Sequence, residues 1–264
     1  MATSLYALSK QSMVVVVVLL LHLSLSVDSI SFKSYNSMPN IQNYIFLRED
    51  VVHSPGDIPL YDPHSYDFSV YQTIYKHPLQ IWDSTTQKLT DFSTHFTFQF
   101  DSLHATTYCG GCAFFLAPIG WPIPPNSGSG FLGLYKANTQ SPPIVHIEFQ
   151  IGLNAAYPPY QHVGININSL SSSNSTPWDA TLHSGDIADV WISYDSNTKN
   201  LSVSWEYQRT KLSLENHFLS YQVDLREALP QQVTFGFSAT TGIWMLNKSR
   251  KPKTVDNDAG GAIA

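Results

Sequence analysis

Residues 144–165, IVHIEFQIGLNAAYPPYQHVGI, restrict the fold of this chain more than any other stretch. Side chains of an extended strand alternate between its two faces. In residues 144–151, Val145, Ile147, Phe149 and Ile151 therefore share one face, and His146, Glu148 and Gln150 share the other. In residues 162–168 the apolar set is Val163, Ile165 and Ile167, set against His162, Gly164, Asn166 and Asn168. A period of two over both runs predicts two half-buried strands. The loop between them carries Asn154 and a Tyr157-Pro158-Pro159 turn. Glu148 and His162 thus approach one loop from the polar faces of neighbouring strands. A carboxylate, an amide and an imidazole converging there can hold a cation beside a ligand pocket. They can equally form an ion pair or hydrogen bond on a strand face.

The same period recurs along the chain. In residues 92–100, Phe96, Phe98 and Phe100 oppose Thr97 and Gln99. Residues 112–117 are continuously apolar, as in a strand covered on both faces. Residues 190–194 alternate, and Leu201, Val203, Trp205 and Tyr207 oppose Ser202, Ser204, Glu206 and Gln208. The polar link 195–200 makes these two a hairpin. Strands are also expected at 29–32, as a pair or its approach over 66–81, at 221–225, and at 233–238. Residues 226–229 read as one helical turn stopped by Pro230. Residues 120–133 and 169–177 read as loops, the first rich in Pro and Gly and long enough to be functional. With no amphipathic helix of ordinary length and no internal repeat, the expected class is all-β.

Residues 1–29 read as a signal peptide, with an apolar run over 13–25 and small residues at Ser24 and Ser26. The run is too short for a spanning helix. No later stretch is apolar enough to cross a membrane, so the mature product is expected to be secreted and soluble. One large domain over 30–246 and a disordered tail over 247–264 complete the expected organisation. Sequons at Asn174, Asn200 and Asn247 fit that route and a glycoprotein. A net charge of −6 argues against nucleic acid, whose binding needs clustered Lys and Arg. The two cysteines, Cys109 and Cys112, have redox-motif spacing. The apolar strand after them lacks the helix that would activate a thiol, leaving a local disulfide or two inert thiols.

Taken in order, Ala113-Phe114-Phe115-Leu116-Ala117-Pro118, IPPNSGSGFLGLY at 123–135, IVHIEF at 144–149, HVGININS at 162–169, Thr176-Pro177-Trp178, the run 183–205 and VTFGFSATTG at 233–242 resemble the legume lectin domain. The likeness is closer to the extracellular domain of plant L-type lectin receptor kinases. It spans residues 31–242 and implies a two-sheet jelly-roll sandwich. It also implies calcium and manganese beside a monosaccharide. By this resemblance Glu148 and His162 match manganese ligands, and Asn154 the calcium ligand that also bonds sugar. Gly130 matches the glycine whose backbone N–H reaches a sugar hydroxyl.

Three acidic positions of the pattern are changed: Gln150, Tyr157 and Gly110 stand where the family has Asp. The first two are ligands bridging the ions, and calcium affinity follows the charge of its ligands. The metals are therefore expected to be absent or weak. Gly110 lacks the acceptor of two sugar hydroxyls, and an aspartate placed there is expected to restore it once the metals are restored. Trp121, Tyr157 and Tyr160 form either an aromatic platform for sugar or packing on the sandwich rim. Gly128 and Gly130 either serve the ligand or permit unusual backbone angles. His104, His146 and His183 carry no spacing signal and are assigned to surface or core.

The expected function is a secreted, lectin-like carbohydrate-binding protein with a degenerate metal and sugar site. The alternative is a defence or interaction protein on the same scaffold that binds no sugar. No nucleophile elbow, carboxylate pair or phosphate loop points to an enzyme. After Gly242 neither a spanning helix nor kinase motifs follow. The family's closing strand is not visible there either, so an unpaired edge or a homodimer covering it is expected.

Overall fold

The structure is a computed structural model that describes residues 69–100, 110–136, 142–152, 158, 160–209 and 216–241, and the backbone of Ile45–Arg48. Its strands are β1 (Ile45–Arg48), β2 (Val70–Tyr75), β3 (Leu79–Gln80), β4 (Phe92–Gln99), β5 (Gly110–Pro118), β6 (Val145–Gln150), β7 (His162–Ile167), β8 (Asn174–Pro177), β9 (Ile187–Asp195), β10 (Asn200–Tyr207), β11 (Phe218–Gln222) and β12 (Gln232–Thr241). They form two antiparallel sheets. One runs β1-β2-β12-β5-β6-β7-β8, with β3 also on β12, and the other β11-β10-β9-β4. The all-β sandwich is as expected.

The inner apolar faces meet in one core. Phe149 of β6 lies 4.7 Å from Phe98, 5.3 Å from Trp178 and 5.8 Å from Trp205, each ring edge to face. That geometry suits the ring quadrupole and adds to the area buried. A second cluster lies on the other side of the larger sheet. There Ile74, Ala113, Phe115 and Ala117 pack with Leu132, Leu134 and Tyr135, the latter three from the chain between β5 and β6. This segment, residues 121–135, is a cover laid across the sheet. It contains a single 3-10 turn, Ser129–Phe131.

The cover changes one expectation. Strands β6 and β7 are not half-buried: every residue of β6 is buried, His146, Glu148 and Gln150 as fully as Val145 and Ile147. Alternation predicted the two faces correctly, but the polar one faces a covered seam instead of solvent. Three smaller differences follow from local chemistry. Residues 174–177, read as loop, form β8, because β7 offers an edge and pairs with them from Pro177 to Asn174. The strand expected over 221–225 ends at Gln222, since Asp224 caps a helical turn, α1 (Leu225–Ala228), by accepting from the Arg226 N–H. β2 and β3 do not pair with each other; both pair with β12. The expected strand at 29–32, the tail and the missing closing strand lie outside the described residues.

Candidate functional site

Glu148 lies at the centre of the covered seam. On β7 the residue opposite it is Gly164. A Cβ at Gly164 would stand 2.6 Å from Ser172 Oγ and 2.9 Å from Glu148 Oε1, so glycine leaves the room that the carboxylate occupies. Ser172 Oγ donates to Oε1 at 3.0 Å, and His162 Nε2 lies 3.2 Å from the same oxygen. The other His162 nitrogen meets the Tyr160 carbonyl at 3.0 Å. Oε2 faces His146 Nε2 at 3.6 Å, and Tyr135 OH lies 3.2 Å from His146 Nδ1. Burial works to raise the Glu148 pKa, but hydrogen bonds and charge from His146 and His162 together outweigh it and bring it down to about 2.

Gln150, on the same face of β6, donates to the Gly152 carbonyl at 3.3 Å, while its side-chain oxygen is buried without a partner. It offers a neutral oxygen where a bridging carboxylate is implied. Among the described residues, no group of three His, Cys, Asp or Glu side chains is arranged to hold an ion. The other implied ligands, Asn154 and Tyr157, lie outside the described residues.

The remaining site residues sit around the cover. Gly130 is buried within the 3-10 turn, and Trp121 is half-buried against the second cluster. Tyr160 is 41% exposed at the lip of an open groove of about 400 Å³ that it lines with Gln161, Pro177, Trp178, Asp179 and Thr181. The left-handed residues of the cover are Asn126, Ser129, Leu132 and Gly133, and Gly128 has φ −68°, so Gly128 does not supply the unusual angle. Gly133 does: φ is +69°, and a Cβ would stand 2.4 Å from Val70 Cγ1.

Gly110 begins β5 with φ +102°, and a Cβ there would stand 2.3 Å from the Thr240 carbonyl oxygen. Any aspartate at this position meets both left-handed strain and that carbonyl. The expectation that it would simply restore an acceptor is corrected by this backbone. Cys112 carries a free thiol, pushed up to about 12 by burial and therefore inert. Cys109 lies outside the described residues.

Sequence reasoning missed the residues that hold the cover. Thr240 Oγ1 donates to the Ser129 carbonyl at 2.5 Å, Ser238 Oγ to that of Leu132 at 2.6 Å, and Gln72 Nε2 to that of Gly133 at 2.9 Å. His146 and Tyr135 were missed too. Ser238 and Thr240 alternate on β12 and share a face, but nothing in the sequence says which loop lies over them. His146 stands two residues before Glu148, a spacing that puts both on one strand face and could have pointed to it.

A model of the legume lectin domain matches residues 28–250. The chain is 49% identical over 176 residues to the L-type lectin-domain containing receptor kinase IX.1 of Arabidopsis thaliana, covering 64% of this chain and 27% of that protein. It thus spans about a quarter of the length of that relative. It is 39% identical over 232 residues to bark agglutinin I polypeptide A of Robinia pseudoacacia, covering 85% of this chain and 79% of the agglutinin. Among solved structures, lectin UEA-II complexed with galactose superposes with a TM-score of 0.69 at 31% identity, covering 79% of this chain and 89% of that one.

Proposed function

We propose that this chain, which belongs to the legume lectin family, binds carbohydrate without the family's divalent cations. One observation carries the reading: Gly130 and Trp121 belong to a cover pinned by side chains of β2 and β12 beside the buried Glu148–His162 pair. A pinned loop is a pre-organised one, and pre-organisation lowers the entropic cost of holding a small polar ligand. The family resemblance assigns Asn154 and Tyr157, which lie outside the described residues, to the same site.

The donor set does not fit a calcium–manganese pair. Calcium is held by several hard, mostly anionic oxygens. Here Gln150 replaces one carboxylate by an amide, Tyr157 replaces another by a phenol, and Glu148 is already engaged by His162 and Ser172. No binding step is therefore assigned to a metal. The role is non-enzymatic; kinase activity belongs to the relative that carries it. Secretion through residues 1–29 and glycosylation at Asn174 and Asn200 fit the same reading. Asn174 is exposed, and Asn200 opens β10 at the end of the hairpin turn. Among the described residues no helix is long and apolar enough to cross a membrane.

A second reading, a defence or interaction protein that binds no sugar, is favoured by Gly110, which neither supplies an acidic acceptor nor leaves space for one. A glycan array decides between them, with galactose as the first probe because it is the sugar of the UEA-II complex. The full chain is assayed with calcium and manganese and again with chelator. Weak binding, equal in both conditions and lost in Asn154→Ala, is the expected result. Binding of nothing in either condition establishes the second reading. One calcium and one manganese per chain by elemental analysis overturns the metal-free part.

A further inference from the structure

We propose that His146 is the residue that positions the cover, through a hydrogen bond with Tyr135 and a buried imidazole–carboxylate contact with Glu148 that together form a polar relay needing no metal ion. Tyr135 is the last residue of the cover to pack into the second cluster, and its hydroxyl meets His146 Nδ1 at 3.2 Å. The other ring nitrogen faces Glu148 Oε2 at 3.6 Å, a polar contact longer than a hydrogen bond, and among the described residues neither atom makes a hydrogen bond. His146 and Glu148 are both completely buried. One tautomer fits both contacts: the phenol donates to Nδ1, and Nε2–H faces the carboxylate. Beyond Glu148 the relay continues to Ser172 and His162 on the far side of the seam.

A buried carboxylate oxygen without a donor is costly, so Oε2 needs either a cation or an N–H. His146 Nε2–H, 3.6 Å away, offers that group electrostatically, short of a full hydrogen bond. In the same contact it ties Glu148 to the cover, which Thr240, Ser238 and Gln72 hold from β12 and β2 on the same face of the sheet. The strand geometry explains why this histidine and no other can act. Residues 146 and 148 share a face of β6, and Phe115, paired opposite His146 on β5, packs with Tyr135 in the same cluster.

The functional meaning rests on the reading above, in which Gly130 and Trp121 form part of the binding surface. The readouts, however, need no sugar. Amide exchange over residues 127–135 of the full chain is measured with calcium and manganese and again with chelator. Unchanged exchange between the two is expected. Tyr135→Phe keeps the ring and removes the hydroxyl, and should speed exchange in that segment roughly 2- to 10-fold, the worth of one net hydrogen bond.

His146→Leu keeps most of the volume and loses both polar contacts; His146→Gln keeps a donor for Glu148. Faster exchange in the Leu variant, partly restored in the Gln variant, is expected of a relay and not of packing alone. Chelator-accelerated exchange in the unmodified chain overturns the proposal. So does a Tyr135→Phe variant that exchanges like the parent, or Leu and Gln variants that behave alike. An array that binds no glycan while the exchange results hold refutes the sugar reading and leaves the relay standing.

Discussion

Gly164 shows how much of the seam depends on one absent side chain. Its missing Cβ is what lets Ser172 and Glu148 meet. Gly164→Ala must push one of them aside, either breaking their 3.0 Å hydrogen bond or overpacking the seam. The expected cost is about 1–3 kcal/mol, read from the midpoint of a urea melt. Asp224 presents the opposite case, a residue near the surface held by several donors. Arg226 hydrogen-bonds its carboxylate and lowers its pKa, against some desolvation and with help from Lys199 at 2.8 Å. A folded pKa below the unfolded 3.8 means the stabilisation is full above about pH 4 and disappears as acid protonates the carboxyl. Asp224→Ala is therefore expected to cost about 1 kcal/mol at pH 7 as a lost helix cap. The gap to the parent should narrow as pH falls below 4, which paired melts across pH 2–7 will read. Glu148 follows the same sign: its contribution is full above about pH 4.5 and is lost as pH falls toward about 2.

At the scale of elements, β12 does two jobs. It pairs with β2, β3 and β5 through its backbone, and its Ser238 and Thr240 hydroxyls hold the cover. The cover's carbonyls at 129, 132 and 133 point at the sheet because left-handed angles at Ser129, Leu132 and Gly133 turn the chain repeatedly. Each such carbonyl takes a donor from the sheet, and that of Ser129 also accepts from the Leu132 N–H. Thr240→Val preserves shape and removes the donor from the sheet, leaving the Ser129 carbonyl with the Leu132 N–H alone. A loss of about 1–2 kcal/mol is expected. Exchange should rise first in residues 127–135, while β9 and β10 stay protected. Uniform loss of protection would mean the hydroxyl serves the whole sandwich and not the cover.

For the molecule as a whole, Phe149 joins the sheets. It comes from β6 and touches Phe98 of β4, Trp205 of β10 and Trp178 just beyond β8. Truncation therefore leaves a void between three packed elements that the rigid strands around it cannot close. Phe149→Ala is expected to cost about 3–5 kcal/mol. Because total stability is typically about 5–15 kcal/mol, the variant should melt far lower or fail to accumulate. A loss below about 1 kcal/mol would show that the neighbouring rings collapse into the space.

Most of the sandwich was legible in the sequence because strand period, turn chemistry and caps are local. The alternation at Val190–Tyr194 and Leu201–Tyr207, the hairpin between them and the two faces of β6 all appear as expected. Glu148 and His162 were paired for the same reason: adjacent antiparallel strands bring a residue near the end of one beside the start of the next. What lies over a face is not local. Tyr135 reaches His146, and Thr240 reaches Ser129 across a sequence separation of 111, only because the cover crosses the sheet. Sequence determined which side of β6 is polar. Tertiary structure decided that this side is buried, and burial is what turns His146 from an unassigned residue into the partner of a carboxylate that water cannot reach.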